Sequence, residues 1–154
     1  MIAQIASAQY GGQSISLTHL APFVDISRKK IKNSMQQLFK DNEIECTVEK
    51  LDKLVEQKLK EEIKQGIQTL NYQVCTLQTT NGQAPFITFF MYLNEAETEQ
   101  QKSDLAEIIK EVIEQRYLGM KNNKGVYVSP AFPKLIYVLE EDNIKPDTKY
   151  WWLT

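Results

Sequence analysis

Phe86-Ile87-Thr88-Phe89-Phe90-Met91-Tyr92-Leu93 and Lys134-Leu135-Ile136-Tyr137-Val138-Leu139 decide the fold. Both runs are short, apolar and rich in aromatic or β-branched side chains, the composition of buried strands. Neither alternates cleanly between apolar and polar residues, so both faces of each strand are expected to be covered. A long helical pattern lies between them. Thr98-x-x-Gln101 opens it as a capping box. Leu105, Ile108, Ile109, Val112, Ile113, Tyr117 and Met120 form its apolar stripe, and Lys121-Asn122-Asn123-Lys124-Gly125 ends it. A strand, a helix and a second strand predict a βαβ crossover with parallel strands.

Upstream, three more helices are predicted. Ile2 to Gln9 is short and stops at Gly11-Gly12, a pair suited to a helix end or turn. The second begins near Thr18, with Leu20, Phe23, Val24, Ile31, Met35, Leu38 and Phe39 on its apolar side and Pro22 tolerated in its first turn. The third starts at Thr47 and keeps helical spacing through Val48, Leu51, Leu54, Val55, Leu59, Ile63, Ile67 and Leu70. Glu49–Lys53 and Glu56–Lys60 support its wet face. The fold class is therefore α/β and helix-rich, with about four helices and two to three strands. Two or three strands cannot wrap a barrel, so the wide stripes of the second and third helices seek partners.

The 154 residues fit one domain, and 42% hydrophobic and 25% charged residues are ordinary globular values. A net charge of −2 predicts no general attraction to nucleic acid or to an anionic membrane. No apolar run reaches the length of a membrane span, and Met1 to Tyr10 lacks the pattern of a signal peptide. Cys46 and Cys75 form neither a C-x-x-C pair nor a disulfide framework, so a reducing, cytoplasmic setting is expected. The apolar terminal run Tyr150-Trp151-Trp152-Leu153-Thr154 predicts a chain cut inside a larger structure. The alternative is a segment docked into its own core.

Two polar clusters are candidate sites. Thr79-Thr80-Asn81-Gly82-Gln83-Ala84-Pro85 joins a helix end to a buried strand, with Asn81-Gly82 as a turn signal. Its hydroxyls and amides suit a ribose or a phosphate, or else cap their own backbone. Arg28-Lys29-Lys30-Ile31-Lys32 places four cations on the second helix, where they suit a triphosphate or simply face solvent. Gln9-Tyr10-Gly11-Gly12-Gln13 is a glycine turn between amides, but no G-K-[ST] follows and it is no P-loop. His19 stands alone, Glu140-Glu141-Asp142 reads as a wet loop, and Cys75 sits in an apolar context where thiols are inert. No catalytic set and no metal-ligand spacing emerges.

Three stretches resemble one family. Ala6-Ser7-Ala8-Gln9-Tyr10-Gly11-Gly12-Gln13-Ser14 with His19-Leu20-Ala21-Pro22-Phe23-Val24 is the first. Tyr72 through Phe86 is the second, and Gly125-Val126-Tyr127-x-x-Pro130-Ala131-Phe132-Pro133-Lys134-Leu135 with Tyr150 to Thr154 is the third. In this order they are similar to an internal part of the class III (anaerobic, glycyl-radical) ribonucleoside-triphosphate reductases.

The resemblance implies a single fragment, 1–154, of a ten-stranded α/β barrel. Helices within 1–70 would lie near the dimer and effector region, and 71–154 would form strand–helix–strand barrel wall. Thr79, Thr80, Asn81 and Gln83 would bind substrate. Gln9, Tyr10, Gln13, Lys29, Lys30 and Lys32 would lie near a deoxynucleotide effector. Partners implied are a ribonucleoside triphosphate, ATP or deoxynucleotide effectors, a second subunit, and an activating enzyme that uses an iron–sulfur cluster and S-adenosylmethionine. The glycyl radical, the four-cysteine zinc site and the catalytic cysteines of the family have no counterpart among these residues, so no reaction is expected from them alone. Cys75 stands where the family typically carries Asn. A nucleotide-binding or dimerising module without chemistry, or a structural relic, is the alternative.

Overall fold

The computed structural model describes residues 12–76, 82, 86–121 and 124–154. The predicted helix over Ile2–Gln9 lies outside them. The first strand, β1 (Gln13–Ser16), was not expected. It is followed by a 3-10 turn over Leu17–Leu20 and by α1 (Ala21–Asp41). Pro22 sits in the first turn of α1, where its missing N–H costs no helical bond. The Asn42 amide closes the other end on the Leu38 carbonyl at 2.8 Å. α2 (Val48–Thr76) runs one and a half turns beyond the predicted stripe. Leu51, Val55, Leu59, Ile67 and Val74 are its buried positions, spaced to fall on one face.

β2 (Ile87–Met91) leads through a 3-10 turn at Leu93–Glu95 into α3 (Glu99–Leu118). The expected cap is present. Thr98 Oγ1 accepts from the Gln101 N–H at 3.2 Å, while Gln101 Oε1 accepts from the Glu97 N–H rather than from that of Thr98. α3 stops at Leu118, before the predicted end. Gly119 has φ 75° and ψ −179°, a conformation nearly confined to glycine. That turn sends Met120 into a small antiparallel pair, β3 (Met120–Lys121) with β4 (Tyr127–Val128). β5 (Lys134–Tyr137) completes the strands.

β1, β2 and β5 form a parallel sheet in the order β1-β2-β5. The helical crossover from β2 to β5 is the one the strand–helix–strand pattern predicts; the connection from β1 to β2, which carries α1 and α2, was not foreseen. Burial along β2 alternates. Ile87, Phe89 and Met91 are fully buried, whereas Thr88 and Phe90 are only half-buried. Coverage of both faces was expected from the unbroken apolar run. Among the described residues one face is covered, where the three long helices pack together. Leu17, Val24, Leu59, Ile67, Leu105, Ile108, Ile109 and Val112 join the β2 side chains in one core. Full burial of each large apolar side chain contributes roughly 1.5–3 kcal/mol.

A charged cluster ties the helices together. Asp104 on α3 is 4% exposed. It accepts both terminal nitrogens of Arg28 on α1, and Gln100 donates to it at 3.0 Å. Arg28 Nε reaches Glu56 on α2 at 2.7 Å. At the carboxyl end of the sheet, the buried Asn143 accepts from the Glu140 N–H and donates to the Val138 carbonyl. Tyr150 and Leu153 fill the core beneath it.

Candidate functional site

The two predicted polar clusters lie in different places. The residues that flank the first, Thr76 and Phe86, lie at the end of α2 and just before β2. Thr79, Thr80, Asn81 and Gln83 themselves fall outside the described residues, as do Gln9 and Tyr10. Gly82 has φ 72°, the left-handed conformation expected of an Asn-Gly turn. The stems of this loop are placed. Upstream, the loop leaves the last turn of α2, where the Cys75 thiol donates to the Phe132 carbonyl at 3.7 Å. Downstream, the Phe86 ring meets the Phe132 ring edge-on, with centroids 5.0 Å apart. Gln13 enters from β1, and its N–H donates to the Phe86 carbonyl at 2.8 Å.

Arg116, near the end of α3, holds the segment to which both stems dock. Its two terminal nitrogens donate to the carbonyls of Pro130 and Pro133. Partial burial lowers the Arg116 pKa from the ordinary guanidinium range, opposed by the nearby thiol of Cys75. The reverse holds for Cys75. Its residue lies at the surface, but its sulfur is tucked against Phe132, and this desolvation pushes the thiol pKa up while Arg116 pulls it down. A raised thiol pKa agrees with the inert role read from its neighbours. The described contacts place the two stems, Cys75 and Phe86, against the same residue, Phe132.

The second cluster is on α1, and its cations divide. Arg28 turns inward to Asp104 and Glu56, whose hydrogen bonds raise its pKa further, so it is spent on helix packing. Lys29 pairs with Asp25 at 2.7 Å, and this hydrogen bond lowers the Asp25 pKa. Lys32 bridges to Asp52 on α2 at 2.7 Å. Lys30 is exposed on the same helix. Sequence spacing gave four cations in a row; helix rotation sends one to the core and two to carboxylates.

A third polar region was not foreseen. Ser16, Thr18, His19, Glu95, Glu97 and Gln101 line a hollow of about 420 Å³ beyond the carboxyl end of β1. Thr18 Oγ1 donates to Glu95 at 2.9 Å, and Ser16 Oγ also donates to it. The parallel pairing of β1 and β2 brings these residues together from positions 77 to 79 apart, so local spacing carries no signal. Among the described residues, no group of three or more His, Cys, Asp or Glu is placed to hold a metal ion. No helix among them is long and apolar enough to cross a membrane.

Comparison with known proteins follows the order of the motifs. A family model described as anaerobic ribonucleoside-triphosphate reductase matches residues 1–153. The anaerobic ribonucleoside-triphosphate reductase of Haemophilus influenzae is 33% identical over 144 residues, covering 92% of this chain and 18% of that protein. The Escherichia coli enzyme of the same name is 30% identical over 155 residues, covering 97% and 19%. That of Enterobacteria phage T4 is 28% identical over 141 residues, covering 90% and 20%. The chain thus spans about a fifth of the length of the curated relatives it matches. With a match across nearly every residue, the chain belongs to the anaerobic ribonucleoside-triphosphate reductase family.

Proposed function

We propose that this chain forms part of the barrel wall of an anaerobic ribonucleoside-triphosphate reductase and is inactive alone. The observation that carries this reading is the parallel sheet. Among the described residues β1 and β5 each pair on one side only, and one sheet face is incompletely covered. Parallel sheets are normally buried on both faces and paired at their edges. A small parallel sheet whose two outer strands, among the described residues, have one strand partner each fits a wall that other strands extend, with helices outside and the less covered face toward the interior.

In this reading residues 71–154 supply wall, and Thr79, Thr80, Asn81 and Gln83 position a ribonucleoside triphosphate through hydrogen bonds. The helices within 1–70, with Gln9, Tyr10, Gln13, Lys29, Lys30 and Lys32, face a second subunit and an ATP or deoxynucleotide effector. The radical chemistry that reduces the ribose belongs to other parts of the protein, as do the glycyl radical and its activating enzyme with iron–sulfur cluster and S-adenosylmethionine. The family's zinc is assigned to those other parts too. The setting is cytoplasmic.

Titration of the isotopically labelled chain with each ribonucleoside triphosphate tests the loop assignment. Amide signals of residues 79–83 are expected to shift, and Thr79→Ala with Asn81→Ala to weaken binding about tenfold, the effect of losing one or two hydrogen bonds. No shift in this loop at millimolar nucleotide would reject it.

A further inference from the structure

The open face of the sheet carries one charge. In a parallel sheet, paired residues point to the same side. Ser14 pairs with Thr88, and Thr88 with Lys134, so the three form one row across β1, β2 and β5. The buried row Ile15, Phe89 and Leu135 is directed to the helices. Ser14, Thr88 and Lys134 therefore lie on the opposite face, where Ser14 and Lys134 are exposed and Thr88 is half-buried. Above them on that face are Phe90 and Ile136, the latter 42% exposed.

The chain around this row is free of formal charge. No Asp, Glu, Lys or Arg precedes Asp25, none occurs between Lys64 and Glu95, and none from Gly125 to Pro133. Lys134 is thus the single charged residue of the three strands and of the segments leading into them. Lys29 and Lys32 are neutralised by Asp25 and Asp52, whereas Lys134 makes no ion pair among the described residues. Its backbone is also fixed. Arg116 grips the Pro133 carbonyl immediately before it, and Phe132 is the residue on which both stems of the 77–85 loop dock. The cation is presented at the same end of the sheet as that loop, beside two hydroxyls, with Phe90 and Ile136 as an apolar floor.

We infer that Lys134, with Ser14 and Thr88, is the phosphate contact of the nucleotide that occupies this open face. The inference rests on the barrel-wall reading and adds the residue that would bind the ligand's charge. An exposed ammonium with no carboxylate paired to it among the described residues is a partner for a polyphosphate, because no anion competes for it. The row spans about 10 Å across three strands, so a phosphate chain can lie along it.

Calorimetric titration of the chain with inorganic tripolyphosphate, then with each ribonucleoside triphosphate, tests it, paired with amide shifts. Lys134→Gln is expected to weaken both ligands about tenfold and to flatten the dependence on salt, while Lys134→Arg stays within about threefold of the unaltered chain. Equal affinity for Lys134→Gln and the unaltered chain would overturn the assignment even if the loop signals shift. Weakening by Lys134→Gln with no response of residues 79–83 would keep Lys134 and remove the loop. Absence of binding by the unaltered chain to either ligand rejects both. Thermal unfolding of each variant confirms that any lost affinity is not lost fold.

Discussion

At the residue scale, the most consequential side chain is Asp104. A carboxylate this buried is stabilised only by its partners, here both terminal nitrogens of Arg28 and the Gln100 amide. Asp104→Asn leaves Arg28 with the more exposed Glu56 and Asp25 and is expected to cost about 2–3 kcal/mol in urea unfolding. Replacing the pair together, Arg28→Met with Asp104→Leu, should cost less than Asp104→Asn, because no unpaired charge remains. A double variant that is less stable than Asp104→Asn would contradict this account. The sequence showed Arg28 only as one of four adjacent cations. Its partners lie 28 and 76 positions away, beyond any local pattern. The role of Phe132 was hidden for the same reason, since its contacts with Cys75 and Phe86 arise from sheet order.

At the element scale, α1, α2, α3, β2 and β5 were all legible, because their apolar periodicity or density exceeds that of their surroundings. β1 was not. Gln13-Ser14-Ile15-Ser16 has one large apolar residue and is a strand only because β2 supplies its hydrogen-bonding partner. The β3–β4 pair was missed because Met120 continues the α3 stripe while the backbone turns at Gly119. A Cβ at Gly119 would meet the Val128 carbonyl oxygen at 2.9 Å in a backbone region that side chains avoid. Gly119→Ala should therefore lower stability by about 3 kcal/mol. Gly66 in α2 is the counterexample, with nothing within 4 Å of its Cβ position. Gly66→Ala should raise stability by about 0.5–1 kcal/mol through helix propensity. The same denaturant series reads both, and a neutral Gly119→Ala would show that the turn is not required.

At the scale of the whole molecule, apolar surface is left over. The α1–α2 groove, about 300 Å³, is lined by Leu20, Phe23, Leu59, Ile63, Ile67 and Leu70, and Phe23 is 64% exposed. Surfaces of this kind seek partners. Sedimentation of the isolated chain is expected to show a dimer or larger species, and Phe23→Glu to return it toward monomer. A monomer at high concentration would count against the wide-stripe argument made from sequence. That argument was available early, because an apolar stripe is visible in a sequence whether or not its partner is present.

The length of α2 has a mechanical consequence. Its 29 residues make a rod of about 44 Å. Near one end, Asp52 is tethered to Lys32; at the other, Cys75 leans on Phe132. A rod has no joint along its length. A tilt of about 5° about the Asp52 tether displaces the far end by about 3 Å, the length of a hydrogen bond. Whatever presses on the α1 side of this helix is felt at Cys75 and Phe132, as the long arm of a balance follows the short one.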